Sequence, residues 1–116
     1  VLRSGRPSPA RSLDAIEAAR LAARVADLRV TPIADAPVRQ RVLIAGEVHG
    51  LQVVPRAGSP SLEVTVADGS GRAAAVFYGR RRLGGIDPGR RVLLEGVGRI
   101  ERGRLVLVNP AYTIVE

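Results

Sequence analysis

Tyr78 is followed at once by Gly79-Arg80-Arg81-Arg82, which places one aromatic ring and three guanidinium groups within five residues. A guanidinium presents a planar fork of donors that matches phosphate oxygens in pairs and stacks on flat rings, and a phenol ring offers a face to a base. Such a set grips an anionic chain without making or breaking bonds. Arg56, Arg72, Arg99, Arg102 and Arg104 offer the same chemistry, and all 18 basic residues of the 116 are arginine. A formal net charge of +7 points to an acidic partner.

The parts for catalysis are missing. His49 is the single histidine, so no multi-histidine metal site can form, and no nucleophile is recognisably paired with it as a base. Its place beside Gly50, on the polar side of an alternating run, reads as a solvated strand residue. The chain has no cysteine, which excludes disulfides and thiolate metal sites. It has no lysine for a Walker loop. Asp68-Gly69-Ser70-Gly71 has the composition of a phosphate nest, yet a hairpin turn accounts for it fully. No enzyme activity, cofactor or metal is expected. The apolar runs, such as Val92-Leu93-Leu94, are too short to cross a bilayer, and the N-terminal residues lack the apolar centre of a secretory signal. A cytoplasmic location and no membrane partner are expected.

Strands must position these side chains. Leu62, Val64 and Val66 alternate with Glu63 and Thr65, and the period of two resumes after Gly71 in Ala73, Ala75 and Phe77. This predicts a hairpin with one face buried and one wet, the wet face carrying Thr65, Arg72 and Tyr78. Val42, Ile44, Gly46 and Val48 alternate with Leu43, Ala45, Glu47 and His49 in a first strand, with Gly46 and Gly50 where it has to bend. Pro55 is expected to end that strand, leaving 56–60 as a loop. After an irregular connection over 79–89, Pro88-Gly89 turns into a fourth strand from Arg91 to Ile100, and Arg102-Gly103 turns into a fifth from Leu105 to about Ile114. Aromatic residues make up only 3% of the chain, so Val, Leu, Ile and Ala must build the core. Phe77 is assigned to that core and Tyr112 to packing where the strands close.

Ahead of the strands, Leu13 to Arg29 consists of helix formers, with Ser12 as N-cap and Asp14 and Glu17 in the first turn. Leu21, Val25 and Leu28 give it an apolar face, and Pro32 and Pro37 stop it. The chain therefore divides into a flexible arm over 1–12, an amphipathic helix over 13–30 and a strand domain over 38–116.

Five strands with an irregular insertion between the third and fourth follow the order of an OB-fold. The expected class is all-β with a short N-terminal helix, a five-stranded OB-fold Greek-key barrel. In that fold the loop between strands one and two and the loop between strands four and five flank the face of strands two and three. Arg56 falls in the first loop. Arg102 falls in the second, between Arg99 and Arg104. With Thr65, Arg72, Tyr78, Arg80, Arg81 and Arg82 they make a candidate nucleic-acid track, partly neutralised by Glu63, Glu95 and Glu101.

Gly46-Glu47-Val48, the run from Leu62 to Gly71, Pro88-Gly89-Arg90-Arg91-Val92 and Asn109-Pro110-Ala111-Tyr112 resemble the wedge OB domain of RecG-type branched-DNA helicases. They are similar more broadly to the anticodon-binding-type OB family. The resemblance covers residues 38–116 and includes no helicase motor, so it lies nearer to the small stand-alone OB proteins encoded in actinobacteria. It implies nucleic-acid binding, with single-stranded or branched DNA ahead of RNA. Wedge domains that stack on bases use aromatic side chains, and only Phe77, Tyr78 and Tyr112 are available here. Binding is then mainly electrostatic and low in sequence preference. Five phosphates neutralised on a single strand would give a slope of log affinity against log salt of about −3.5. Two other readings start from the same residues. One is a protein-interaction or assembly module engaging a protein partner through the N-terminal helix; the other is an accessory domain of an enzyme on another chain.

Overall fold

The alternation that begins at Val42 becomes a single strand of 16 residues, long enough to serve two neighbours in succession. A computed structural model describes residues 2–4 and 29–115. In chain order the strands are β1 (Leu2–Ser4), β2 (Arg41–Arg56), β3 (Ser59–Ala67), β4 (Arg72–Tyr78), β5 (Arg91–Glu101), β6 (Arg104–Val108) and β7 (Ala111–Val115), with a 3-10 turn at Ile33–Asp35. The first half of β2 pairs with β5 and the second half with β3. β3 pairs with β4, β4 runs parallel to β6, and β6 returns antiparallel to β5. The result is a closed ring of five strands in the order β2, β3, β4, β6, β5. Closure leaves few open sheet edges, the usual liability of strand proteins.

Both bending positions expected in β2 are used. Val48 lies opposite Val66 and Gly50 opposite Thr65, so His49 is the extra residue of a bulge, which sharpens the strand's twist. At Gly46 a side chain would begin 3.1 Å from the Ala67 carbonyl oxygen and 3.1 Å from Val66 Cβ, so any other residue would push the two strands apart by a few tenths of an ångström.

The inward faces carry Val42, Ile44, Val48, Leu62, Val64, Val66, Ala75, Phe77, Val92, Leu94, Leu105 and Leu107 into one core. Large and small residues are matched across the ring. Gly96 and Gly98 of β5 leave the space that Leu105 and Leu107 fill, and a Cβ on Gly98 would lie 2.6 Å from Leu105 Cδ1. Ile33 and Ile86 enter the same core from outside the strands, with Leu83 packed against it. Phe77 is buried and meets Tyr112 edge to face with ring centroids 5.8 Å apart, as expected for both residues.

Three expectations are corrected. Pro55 does not end β2, because on the open edge of a strand its missing N–H costs no ladder bond. The strand runs through Arg56, and the loop shrinks to Ala57-Gly58, both with positive φ. The expected fifth strand is two strands, because Asn109 adopts φ 48° ahead of Pro110, and β7 turns away to pair with β1 and the first half of β5. The connection over 79–89 is irregular as expected and folds through reverse turns, including Asp87 to Arg90 with Pro88 and Gly89 at its centre. The outer face of β4 is not wet: Ala74 and Val76 are buried with Val106 in a second, smaller apolar cluster. The helix expected over 13–30 lies outside the described residues except for Arg29 and Val30, which are not helical. Val30 bridges to Leu43. The arm over 1–12 also lies outside them, apart from the strand Leu2–Ser4. No helix among the described residues is long and apolar enough to cross a membrane.

Candidate nucleic-acid interface

Ion pairs link the hairpin tip between β2 and β3 to the one between β5 and β6 across the outer face of β3. Glu63 points outward there, since Leu62 and Val64 on either side of it point into the core. Arg56, the last residue of β2, reaches Glu63 at 3.4 Å and, across the gap between the tips, Glu101 at 3.7 Å. Arg104 of β6 reaches Glu63 from the opposite side at 2.5 Å, and Arg99 pairs with Glu101. Three guanidiniums and two carboxylates thus form one connected network. Its centre is sheltered, with 11% of the Glu63 side chain exposed and 25% of that of Arg56. Buried in it, Arg56 Nε has no hydrogen-bond partner among the described residues. Of the three glutamates expected to offset the track, Glu63 and Glu101 do so, while Glu95 is buried elsewhere against Arg41 at 3.3 Å.

Tyr78 stands beside this network. It lies opposite Ser61 in the ladder, two residues from Glu63, and 42% of it is exposed. Its N–H donates to Asn109 Oδ1 at 2.9 Å, while Asn109 N–H donates to the Val76 carbonyl at 2.7 Å. Asn109 therefore fixes the end of β4 from which Arg80, Arg81 and Arg82 emerge, all exposed. Gly79 N–H ties that exit to the Pro60 carbonyl at 2.9 Å, keeping the triplet near the β2–β3 tip. Arg102 is exposed in the β5–β6 turn at φ 53°, followed by Gly103 at φ 80°. Thr65 is half-buried on the outer face of β3.

Arg72 does not join the set. It begins β4 whereas Tyr78 ends it, a separation of about 20 Å along the strand. Arg72 instead closes a row across four strands, Arg91 opposite Glu47, Glu47 opposite Ala67 and Ala67 opposite Arg72, along a groove of about 1000 Å³. Periodicity alone gave Arg72 the correct face but not the correct end.

At the same end, the Asp68 to Gly71 turn already holds an anion of its own. Asp68 Oδ1 accepts from the Ser70 N–H at 2.8 Å, the Gly71 N–H at 3.2 Å and the Ser70 hydroxyl at 2.6 Å, and Oδ2 accepts from Ile33 N–H at 2.9 Å. Slight desolvation works to raise the Asp68 pKa, but the Ser70 hydroxyl and the Ile33, Ser70 and Gly71 amides outweigh it and hold the carboxyl at about 2. A folded-state value below the ordinary one means that this stabilisation is complete above pH of about 4 and is lost as the pH falls towards 2. Asp68→Ala is expected to cost about 1 kcal/mol at neutral pH, a low figure for bonds to a charged group because the turn is exposed. The difference from the parent protein, followed by urea unfolding, should shrink between pH 4 and 2. A difference that is constant with pH would contradict this account of the turn.

No family model matches the sequence, and no curated protein does either. The fold is similar to that of the replication factor A related protein from Methanobacterium thermoautotrophicum, known from a solution NMR structure. The TM-score is 0.58 at 16% sequence identity, over 76% of this chain and 92% of that one. The likeness is one of fold.

Among the described residues no group of His, Asp and Glu is placed to hold a metal ion. His49 is exposed in its bulge with Glu47 at 4.0 Å. What the hairpin-tip face can do chemically is attract and hold an anionic chain.

Proposed function

We propose that this chain is a non-catalytic OB-fold module of Greek-key type that binds nucleic acid, working in the cytoplasm. A single strand would lie across the hairpin-tip end of the ring. The observation that carries the reading is the convergence of arginines from separate hairpins, Arg56 with Arg99 and Arg104, beside the exposed Tyr78 and the Arg80 to Arg82 triplet. The strand order of the ring and its likeness to a replication factor A related protein support the OB assignment. The wedge-like motifs of residues 38–116 are the reason for naming DNA, single-stranded or branched, ahead of RNA.

The charge network sets the strength. Arg56, Arg99 and Arg104 already face carboxylates, which leaves Arg80, Arg81, Arg82 and Arg102 as the guanidiniums here without an ion pair among the described residues. Four phosphate contacts at about 0.7 each give a slope of log affinity against log salt of about −2.8 on a single strand. This is shallower than the sequence alone suggests. Tyr78 adds one stacking contact of about 1 to 3 kcal/mol, so sequence preference stays low. Fluorescence anisotropy with a labelled single strand, duplex, fork and RNA at graded salt tests the reading. It requires tighter binding to the single strand or fork and the shallow slope; no binding at low salt would overturn it.

Glu63→Gln follows as a gain of function. It removes the carboxylate that holds both Arg56 and Arg104 while keeping the shape of the side chain. One more phosphate contact would steepen the slope by about 0.7 and raise affinity about fivefold at 0.1 M salt. A weaker variant would place the strand elsewhere.

A further inference from the structure

Beyond Val48, the outer edge of β2 has no partner strand among the described residues. The ladder bonds define which groups lie on it. Gly79 N–H donates to the Pro60 carbonyl and Asp68 N–H to the Gly71 carbonyl, so even-numbered residues of β3 bond to β4 and odd-numbered ones bond to β2. Their partners Gly50, Gln52, Val54 and Arg56 therefore turn their backbone polar groups towards β3, while Leu51 and Val53 turn N–H and carbonyl, and Pro55 its carbonyl alone, to the open edge. Val48 shares that edge on the near side of the bulge, where it exchanges bonds with Gly89 and Arg90.

The His49 bulge and Pro55 bound this edge, but the residues between them lack the usual charge. Strand edges are normally blunted by charge, and here, in a chain of net charge +7, nothing charged lies between His49 and Arg56. Leu51 and Val53 share one face and are 39% and 45% exposed. The edge is also complementary to itself. Turned about a twofold axis through Gln52, Leu51 of one copy faces Val53 of the other with both amides and both carbonyls aligned, and the symmetric pair repeats the match. That arrangement forms four backbone hydrogen bonds, one apolar cluster of four side chains and a Gln52 to Gln52 contact on the opposite face.

We propose that the protein self-associates through this edge, β2 pairing antiparallel with β2 of a second copy in a register centred on Gln52. The segment 89–90 beside Val48 limits the ladder to about five residues, so the interface is smaller than the ~1,200 Å² of a stable complex and the dimer is weak and reversible. Pairing would join two hairpin-tip faces in one particle, although the association itself requires no nucleic acid.

Cysteine chemistry reads the register directly, because the parent chain contains no thiol. Gln52 opposite its own copy would be a non-hydrogen-bonded pair with Cα atoms about 4.5 Å apart, within disulfide range. Under mild oxidation without nucleic acid, Gln52→Cys is expected to form covalent dimer at least about tenfold faster than Ser70→Cys, which sits in a distant exposed turn. Sedimentation of the parent protein from about 5 µM to about 500 µM should show a rising average mass, and Val53→Arg, at an exposed position, should abolish the rise with an unchanged circular dichroism spectrum. A parent protein that stays monomeric throughout, or a Gln52→Cys variant that cross-links no faster than Ser70→Cys, would overturn the proposal.

Discussion

Replacing Arg80, Arg81 and Arg82 together with alanine is expected to weaken single-strand binding about 100-fold at 0.1 M salt. The size follows from the electrostatic count. Three of the four guanidiniums at the hairpin-tip end without an ion pair among the described residues are removed, and three phosphate contacts at about 0.7 each take about 2 from the salt slope. If contacts that do not depend on salt are unchanged, a slope smaller by 2 removes two decades of affinity at 0.1 M relative to 1 M. The fold should survive, because the connection is anchored by Leu83 and Ile86 against the core and by the Gly79 bond to Pro60 rather than by its arginines. Anisotropy across a salt series checks both numbers. A loss of less than about threefold with a full slope would remove the triplet from the interface.

Leu107→Ala is expected to have the largest effect on stability. Leu107 is fully buried on β6, the strand that closes the ring, and lies opposite Gly98 of β5 and Ala75 of β4. Neither of those neighbours has the bulk to fill the vacated space, and Gly96 on the same face has none either. Collapse is therefore limited, which places the cost in the upper part of the usual range of about 2 to 5 kcal/mol. For a domain of this size that is a drop of about 10 to 20 °C in the thermal midpoint. Because β6 also carries Arg104, DNA binding at a fixed temperature should fall with the folded fraction. A shift of less than about 3 °C would show that the glycine-leucine match does not hold the ring closed.

Much of the ring could be read from local pattern. The β3–β4 hairpin, the bend in β2 and the turns at Pro88-Gly89 and Arg102-Gly103 each follow from a few adjacent residues, and the structure contains all of them. What the pattern could not carry was whatever depends on where a strand goes next. Pro55 looks like the end of a strand until the open edge of β2 makes its missing N–H harmless. Asn109-Pro110 marks a break that apolar alternation on both sides conceals. Ala74 and Val76 lie on the polar side of the period in β4, yet they are buried in a second cluster with Val106.

The site was legible in the same partial way. Alternation put Tyr78 on the outward face, and the OB-fold strand order put Arg56, Arg102 and Arg104 on or beside the two neighbouring hairpin loops. Arg72 was lost because a shared face says nothing about which end of the strand a residue occupies. Glu63 was named only as a source of neutralising charge. That it joins Arg56 to Arg104 depends on β2 and β6 lying on either side of the β3–β4 hairpin in the ring, a long-range property. Asn109 as the acceptor that fixes Tyr78 left no sequence signal beyond its place before proline.

The most direct test is a titration of the amide resonances of the labelled protein with a short single-stranded DNA at low salt. The expected result is one contiguous set of shifts over Tyr78 to Arg82, Arg102 to Arg104 and Arg56 with Glu63, while Arg72, Arg91 and the Asp68 turn stay still. Shifts centred on Arg72 and Arg91, or none at saturating DNA, would contradict the account.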